Sequence, residues 1–195
     1  KESEKVEYVS HHPQLDSHWL NPLCLRDANM VTNYLIEQIE KADDSITITS
    51  FYFKPAPMLF KALIDACERG VEVTVFHSHR NALENSAVPW ISSAYLYQKL
   101  LDHGVTIYEN KKGEHSKIMV VDDAKVIFGS YNFEWAAHDR LAEAMMGSRD
   151  VKLLATVNQY FDKCHENTDI IRVRKQDVSL SSLGVLMVLK MMFFK

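Results

Sequence analysis

The chain has 195 residues, 47% hydrophobic and 25% charged, a balance that excludes disorder over most of its length and suffices for one domain with a sizeable core. A formal net charge of −4 and a pI near 6.1 disfavour a dedicated nucleic-acid binder, which is usually basic on one face, while leaving room for a local basic groove. Cys24, Cys67 and Cys164 are odd in number and widely spaced, which excludes a disulfide framework and a zinc pattern and leans toward a reducing compartment.

Residues 1–26 read as an N-terminal arm. Residues 1–9 are charged and lack an apolar pattern. Ser10-His11-His12-Pro13 follows, then His18 and Trp19; the histidine spacing fits no standard metal site, so a polar loop leading into the domain is expected. The first residue is Lys1, not Met, which reads as a processed or excised piece.

Residues 27–41 are predicted helical, with Met30, Tyr34, Leu35, Ile36 and Ile39 on an apolar face and Asp27 as the cap. Residues 45–53 form a predicted strand that Lys54-Pro55-Ala56-Pro57 ends. A helix over 58–69 stops at Gly70, and a strand follows over 71–76. Strand, helix and strand in that order imply a right-handed crossover with parallel pairing. His77-Ser78-His79-Arg80 lies just past the second strand, where α/β sheets place their ligands. His79 and Arg80 are therefore candidates for a phosphate or headgroup, set against a plain solvated loop.

Residues 81–93, with Pro89-Trp90, are read as a loop, 94–103 as a helix closed by Gly104, and 105–108 as a strand. Lys111-Lys112-Gly113 either raises the local potential or is a charged turn. A hairpin over 118–121 and 126–128, a short helix over 133–141, a strand over 142–146 and a helix over 151–165 complete the domain, with a further strand over 170–173. Val151, Leu154, Val157, Tyr160 and Phe161 share one face of the last helix. The domain thus spans 27–175, and 176–195 form an apolar tail. Its residues 178–194 are about 17 in number, short of the roughly 20 that cross a bilayer. Core or dimer packing is the default for this tail, and an interfacial helix touching a membrane is the alternative. The compartment is left open, membrane association included.

The stretch 115–143 concentrates the chemistry. It opens on His115-x-Lys117-x-x-x-x-Asp122, continues with Gly129-Ser130-x-Asn132, and reaches Glu143. The combination is far more specific than a lone H-x-K. The pattern resembles the phospholipase D superfamily, whose members share this histidine-lysine-aspartate (HKD) signature, over roughly residues 27–164.

The residue types suit phosphodiester chemistry. His115 and Lys117 are two apart, so on a strand they point to one face. A neutral imidazole can attack phosphorus to give a phosphohistidine, splitting one hard displacement into two. The other ring nitrogen needs an acceptor, and Glu143 stands at the matching position of the family pattern. Lys117, Asn132 and Ser130 offer a cation, an amide and a hydroxyl to phosphate oxygens. Asp122 sits between two apolar runs where Asp is a common turn residue, and with Gly129 it is read as a structural part of the motif.

The resemblance implies an α/β sandwich, a mixed central sheet with helices on both faces, and no cofactor or metal. It further implies two motifs facing each other, one His attacking and the other protonating the leaving oxygen. This chain carries one, so a second HKD half or a homodimer is required. Ser50-Phe51-Tyr52-Phe53-Lys54-Pro55 resembles the T-P-Y-F-x-P segment in the C-terminal half of bacterial cardiolipin synthases. Tyr52 is thus either a pocket residue or a packed strand aromatic. The expected function is a phospholipid phosphodiesterase or phosphatidyltransferase like cardiolipin synthase. The alternatives are a metal-independent endonuclease of the same superfamily, with nucleic acid the less favoured partner, and an inactive domain used for binding. Two departures bear on substrate. Cardiolipin synthases usually carry R-S after the G-S-x-N, where this chain has Phe133-Glu134-Trp135-Ala136-Ala137, and Leu141 stands where an Asn commonly precedes the downstream Glu. Phe133 and Ala136-Ala137 look closer to single-motif endonucleases.

Overall fold

The computed structural model describes residues 6–13, 29–82 and 88–175. Its centre is an eight-stranded mixed sheet. In chain order the elements are β1 (Glu7–His11), α1 (Met30–Glu40), β2 (Ser45–Ser50), β3 (Phe53–Lys54), α2 (Pro57–Glu68), β4 (Glu72–Ser78), a 3-10 turn (Arg80–Ala82), α3 (Val88–Asp102), β5 (Thr106–Asn110), β6 (Ile118–Val121), β7 (Lys125–Gly129), β8 (Phe133–Glu134), α4 (Trp135–Asp139), β9 (Glu143–Ser148), α5 (Val151–Glu166) and β10 (Ile170–Arg172). The sheet order is β1-β9-β7-β6-β2-β4-β5-β10, and β3 pairs with β8 in a separate ribbon. β2, β4 and β5 are parallel, as the helical crossovers require, the remaining pairs of the eight-stranded sheet are antiparallel, and β3–β8 is parallel.

Period-two alternation sorts the sheet's side chains between two cores. Ile46, Ile48, Val73, Val75, Ile107, Met119, Val121, Ile127 and Met145 face α1, α2 and α3, which supply Leu35, Ile39, Leu59, Leu63, Tyr97 and Leu100. Phe76, Val120 and Val126 face α5, which supplies Val157, Phe161 and Cys164. Helices thus cover both faces, as expected.

Caps and turns set the ends. Asn29 caps α1 by accepting from Thr32 N at 2.8 Å, a role the sequence reading gave to Asp27, which lies outside the described residues. Gly70 and Gly104, at φ of 94° and 93°, follow α2 and α3 in the conformation that glycine adopts at least cost.

Several expectations need correction. Glu7–His11, expected to be arm and loop, is an edge strand paired with β9. It is fastened by Glu7, which accepts from buried Lys125 at 2.5 Å and from Tyr34 at 2.7 Å. Those ties are long-range and leave no local pattern. The strand read over 45–53 breaks after Ser50, where Ser50 Oγ turns to the Tyr52 carbonyl, and Phe53–Lys54 joins β8 instead. β4 runs on to Ser78, so His77 lies within the strand. α3 begins at Val88, with Pro89 in its first turn, where the missing N–H is harmless. Among the described residues no helix is long and apolar enough to cross a membrane; the tail 176–195 lies outside them.

Candidate active site

The core-facing rows of the sheet run out at one end into polar residues. Val75 is followed two residues on by His77, Ile107 by Glu109, and Met145 is preceded by Glu143. This is the carboxyl end of the parallel strands, the edge where α/β sheets bind ligands. The run 114–117 enters β6 from this end. It precedes the strand, so His115 and Lys117 approach the sheet without belonging to it.

His115 is exposed, and its ring lies against Phe51 with centroids 5.3 Å apart. Phe51 N donates to Asn132 Oδ1 at 3.2 Å, which ties the G-S-x-N turn to the histidine's neighbour. Lys117 Nζ donates back to the His115 carbonyl at 2.8 Å, and Gly129 N donates to the Lys117 carbonyl at 3.2 Å. Gly129 admits no side chain: a Cβ there would meet Ala144 O at 2.1 Å. Ser130 Oγ donates to the Glu143 carboxylate and accepts from Ala144 N at 3.1 Å. The sequence reading had Glu143 orienting the His115 ring. Here its carboxylate is held by Ser130, and among the described residues no His115–Glu143 hydrogen bond forms.

The charges are mutually adjusted. Burial pushes the Glu143 carboxyl above its ordinary range, opposed by the Ser130 hydroxyl and by Lys117. Burial also raises Glu134, opposed by its bond from Asn132. Lys117 is lowered by burial, against the pull of Glu143, Glu114 and Glu134. The Lys117 ammonium thus faces Glu143, Glu114 and Glu134, and Lys54 acts on Glu134 as well.

The remaining candidates are placed as follows. Asp122, at φ 52°, accepts from the backbone N–H groups of Asp43, Asp44 and Ser45 at 3.1, 2.8 and 3.0 Å. Burial raises its carboxyl, but those three donors outweigh it and hold the group below its ordinary range. Tyr52 packs edge-on against Phe51 at 4.6 Å, one ring removed from His115. His79 Nε2 lies 3.8 Å from Glu109 Oε2, and Arg80 is exposed in the 3-10 turn. His11, expected in a loop, stands opposite Glu143 across the β1–β9 pair.

Sequence reasoning missed Phe51, the ring that touches His115, and the buried polar groups behind the motif. Glu114 accepts from Ser116 N, Ser116 Oγ and Tyr160 Oη at 2.9, 2.6 and 2.5 Å. His77, Tyr97 and Glu109 form a second buried group. Alternation about His115 was the available signal: Glu114 and Ser116 had to face away from it, into the sheet. Among the described residues no three His, Cys, Asp or Glu side chains are grouped to hold a metal.

The family pattern described as cardiolipin synthase, phospholipase D-like domain, matches residues 35–165. The chain belongs to this family, within the phospholipase D superfamily. It is similar to cardiolipin synthase A of Buchnera aphidicola subsp. Baizongia pistaciae, 35% identical over 109 residues, which are 54% of this chain and 21% of that protein. It is also similar to phospholipase D of Rickettsia prowazekii, 32% identical over 123 residues, 63% of this chain and 56% of the relative. The match therefore spans about a fifth of the one relative and little more than half of the other. In fold it resembles the phospholipase D family member Nuc from Salmonella typhimurium, with a TM-score of 0.61 and 20% identity, covering 88% of this chain and 98% of that one. The motif's His115 and Lys117 lie at the carboxyl end of the parallel strands, and Asp122 lies at the other end, bonded to the entry of β2.

Proposed function

We propose that this phospholipase D-like domain is a phosphodiesterase or phosphatidyltransferase acting on phospholipid through a phosphohistidine on His115. The observation that carries the reading is the exposed His115 ring beside Lys117, with Ser130, Asn132 and Glu143 tied into the same end of the sheet. A ring nitrogen of His115 attacks phosphorus and the bond to the leaving oxygen breaks. Lys117 and Asn132 stabilise the charge on the phosphoryl oxygens. Water or an acceptor alcohol then takes the phosphoryl group and frees the imidazole. A second imidazole must protonate the first leaving oxygen, and we assign it to another HKD motif, from a second copy of the chain or a second half. Similarity to a cardiolipin synthase and a phospholipase D favours lipid as substrate.

Nucleic acid is the second reading, favoured by exposed Lys111 and Lys112 on the turn before His115. Labelled phosphatidylglycerol vesicles and labelled DNA, at matched protein concentration, separate the two. Release of labelled headgroup or transfer product, abolished in His115→Ala, is expected. Cleavage of DNA alone supports the second reading, and turnover within tenfold of the parent in His115→Ala overturns both.

A further inference from the structure

Glu114 is the most deeply buried carboxylate beside the motif, 3% exposed, and among the described residues it forms no ion pair. A buried charge is costly unless donors surround it. Three do: Ser116 N and Ser116 Oγ on one oxygen, Tyr160 Oη of α5 on the other. Ser116 Oγ also lies 2.7 Å from Thr49 Oγ1 as a donor, so its one hydroxyl hydrogen is shared between Glu114 and Thr49. Thr49 Oγ1 in turn accepts from Ile118 N at 3.0 Å. The backbone is gripped as well: Glu114 N donates to Ser78 Oγ at 2.9 Å, and Ser78 Oγ donates to the Glu114 carbonyl at 3.1 Å. Burial and the Glu114 carboxylate push the Tyr160 phenol well up, which keeps it a donor.

This network fastens Glu114 and Ser116, the residues on either side of His115, and leaves His115 and Lys117 projecting from the opposite face. Lys117 then depends on the same run, since its ammonium bonds the His115 carbonyl. Four elements meet here: the ends of β2 and β4, the entry to β6, and α5 from the far side of the sheet.

We infer that Glu114 is a positioning residue: with Tyr160 and Ser116 it holds the 114–117 run so that the His115 imidazole and Lys117 ammonium present a fixed spacing to the phosphorus. The inference rests on His115 carrying the reaction. Glutamine is nearly isosteric and can keep the bonds from Ser116, so Glu114→Gln removes the charge and weakens the tie to Tyr160 with little change of packing.

Turnover of bis(4-nitrophenyl) phosphate, a phosphodiester without lipid or base, is measured for the parent, Glu114→Gln, Tyr160→Phe, the double variant and His115→Ala. A small displacement of a reacting group costs on the order of 10²-fold. Glu114→Gln is therefore expected to lower kcat about 10–100-fold, with KM within about twofold, at an unchanged melting temperature. The double variant is expected to lose no more than the larger single loss. A kcat within about twofold of the parent in both single variants overturns the inference, as does a loss that tracks a falling melting temperature. Turnover surviving in His115→Ala overturns the underlying site assignment instead. The ring proton resonances of His115 give a readout without turnover: they move in Tyr160→Phe while those of His138 stay, and an unmoved His115 overturns the inference.

Discussion

His77 offers a stability test whose size follows from its surroundings. The ring is 1% exposed, stacks near Phe53 at 5.9 Å, and bonds Tyr97 through Nε2. Tyr97 gives its only hydroxyl hydrogen to Glu109 at 2.6 Å, so His77 enters the network as a neutral Nε2–H donor. Burial, with the nearby His79, brings its pKa down from 6.5 to about 3. The unfolded chain therefore takes up a proton below pH 6.5 that the folded chain refuses, and stability falls as the pH drops from about 6.5 toward 3. At pH 5 the linkage amounts to about 2 kcal/mol, or roughly 4–8 °C in melting temperature for a domain of this size. His77→Gln keeps a donor for Tyr97 and removes the titration. Urea unfolding followed by circular dichroism at pH 7 and pH 5 should show the parent losing about 2 kcal/mol more than His77→Gln across that interval. Equal losses would refute the reasoning and mean that the ring ionises in place.

Asp122→Ala leaves three backbone N–H groups without their acceptor and should cost about 2 kcal/mol in urea unfolding, with activity kept once folded. Ser130→Ala removes the donor that holds the Glu143 carboxyl down, so the acid limb of the kcat/KM profile should move to higher pH; an unmoved limb would mean that Glu143 is not required ionised. Chelator should leave turnover intact, since Lys117 and Asn132 supply the donors; loss in chelator, restored by a divalent ion, would contradict this. Sedimentation paired with activity tests the second motif: turnover should accompany a dimer, and full turnover by a strict monomer would refute the requirement.

Local patterns carried much of this fold. The helices were visible because their apolar faces recur at helical spacing, and Gly70 and Gly104 marked two ends. The parallel core followed from strand-helix-strand order. β1 was not visible: its register with β9 depends on Glu7 reaching Lys125 and Tyr34, partners 118 and 27 residues away. The break after Ser50 was hidden for a similar reason, since Phe53 reads as a strand residue whichever sheet it joins. At the site, the motif and its family resemblance marked His115, Lys117 and Glu143 as candidates. They did not show that Ser130 holds Glu143, because which acceptor a hydroxyl chooses is settled by three-dimensional distance.

The strand β1 runs antiparallel to β9, so its two ends lie at opposite edges of the sheet. His11 faces Glu143 at the end that carries His115 and Lys117, while Glu7 faces Gly147, four residues and about 14 Å away. The Glu7 end of the strand therefore lies at the end of the sheet away from His115. A tether or fluorophore attached at Glu7 leaves the His115 end open to solvent, whereas one attached at His11 crowds it, so a pair of domains labelled at the two ends of one strand reports which end of the sheet a bound substrate occupies.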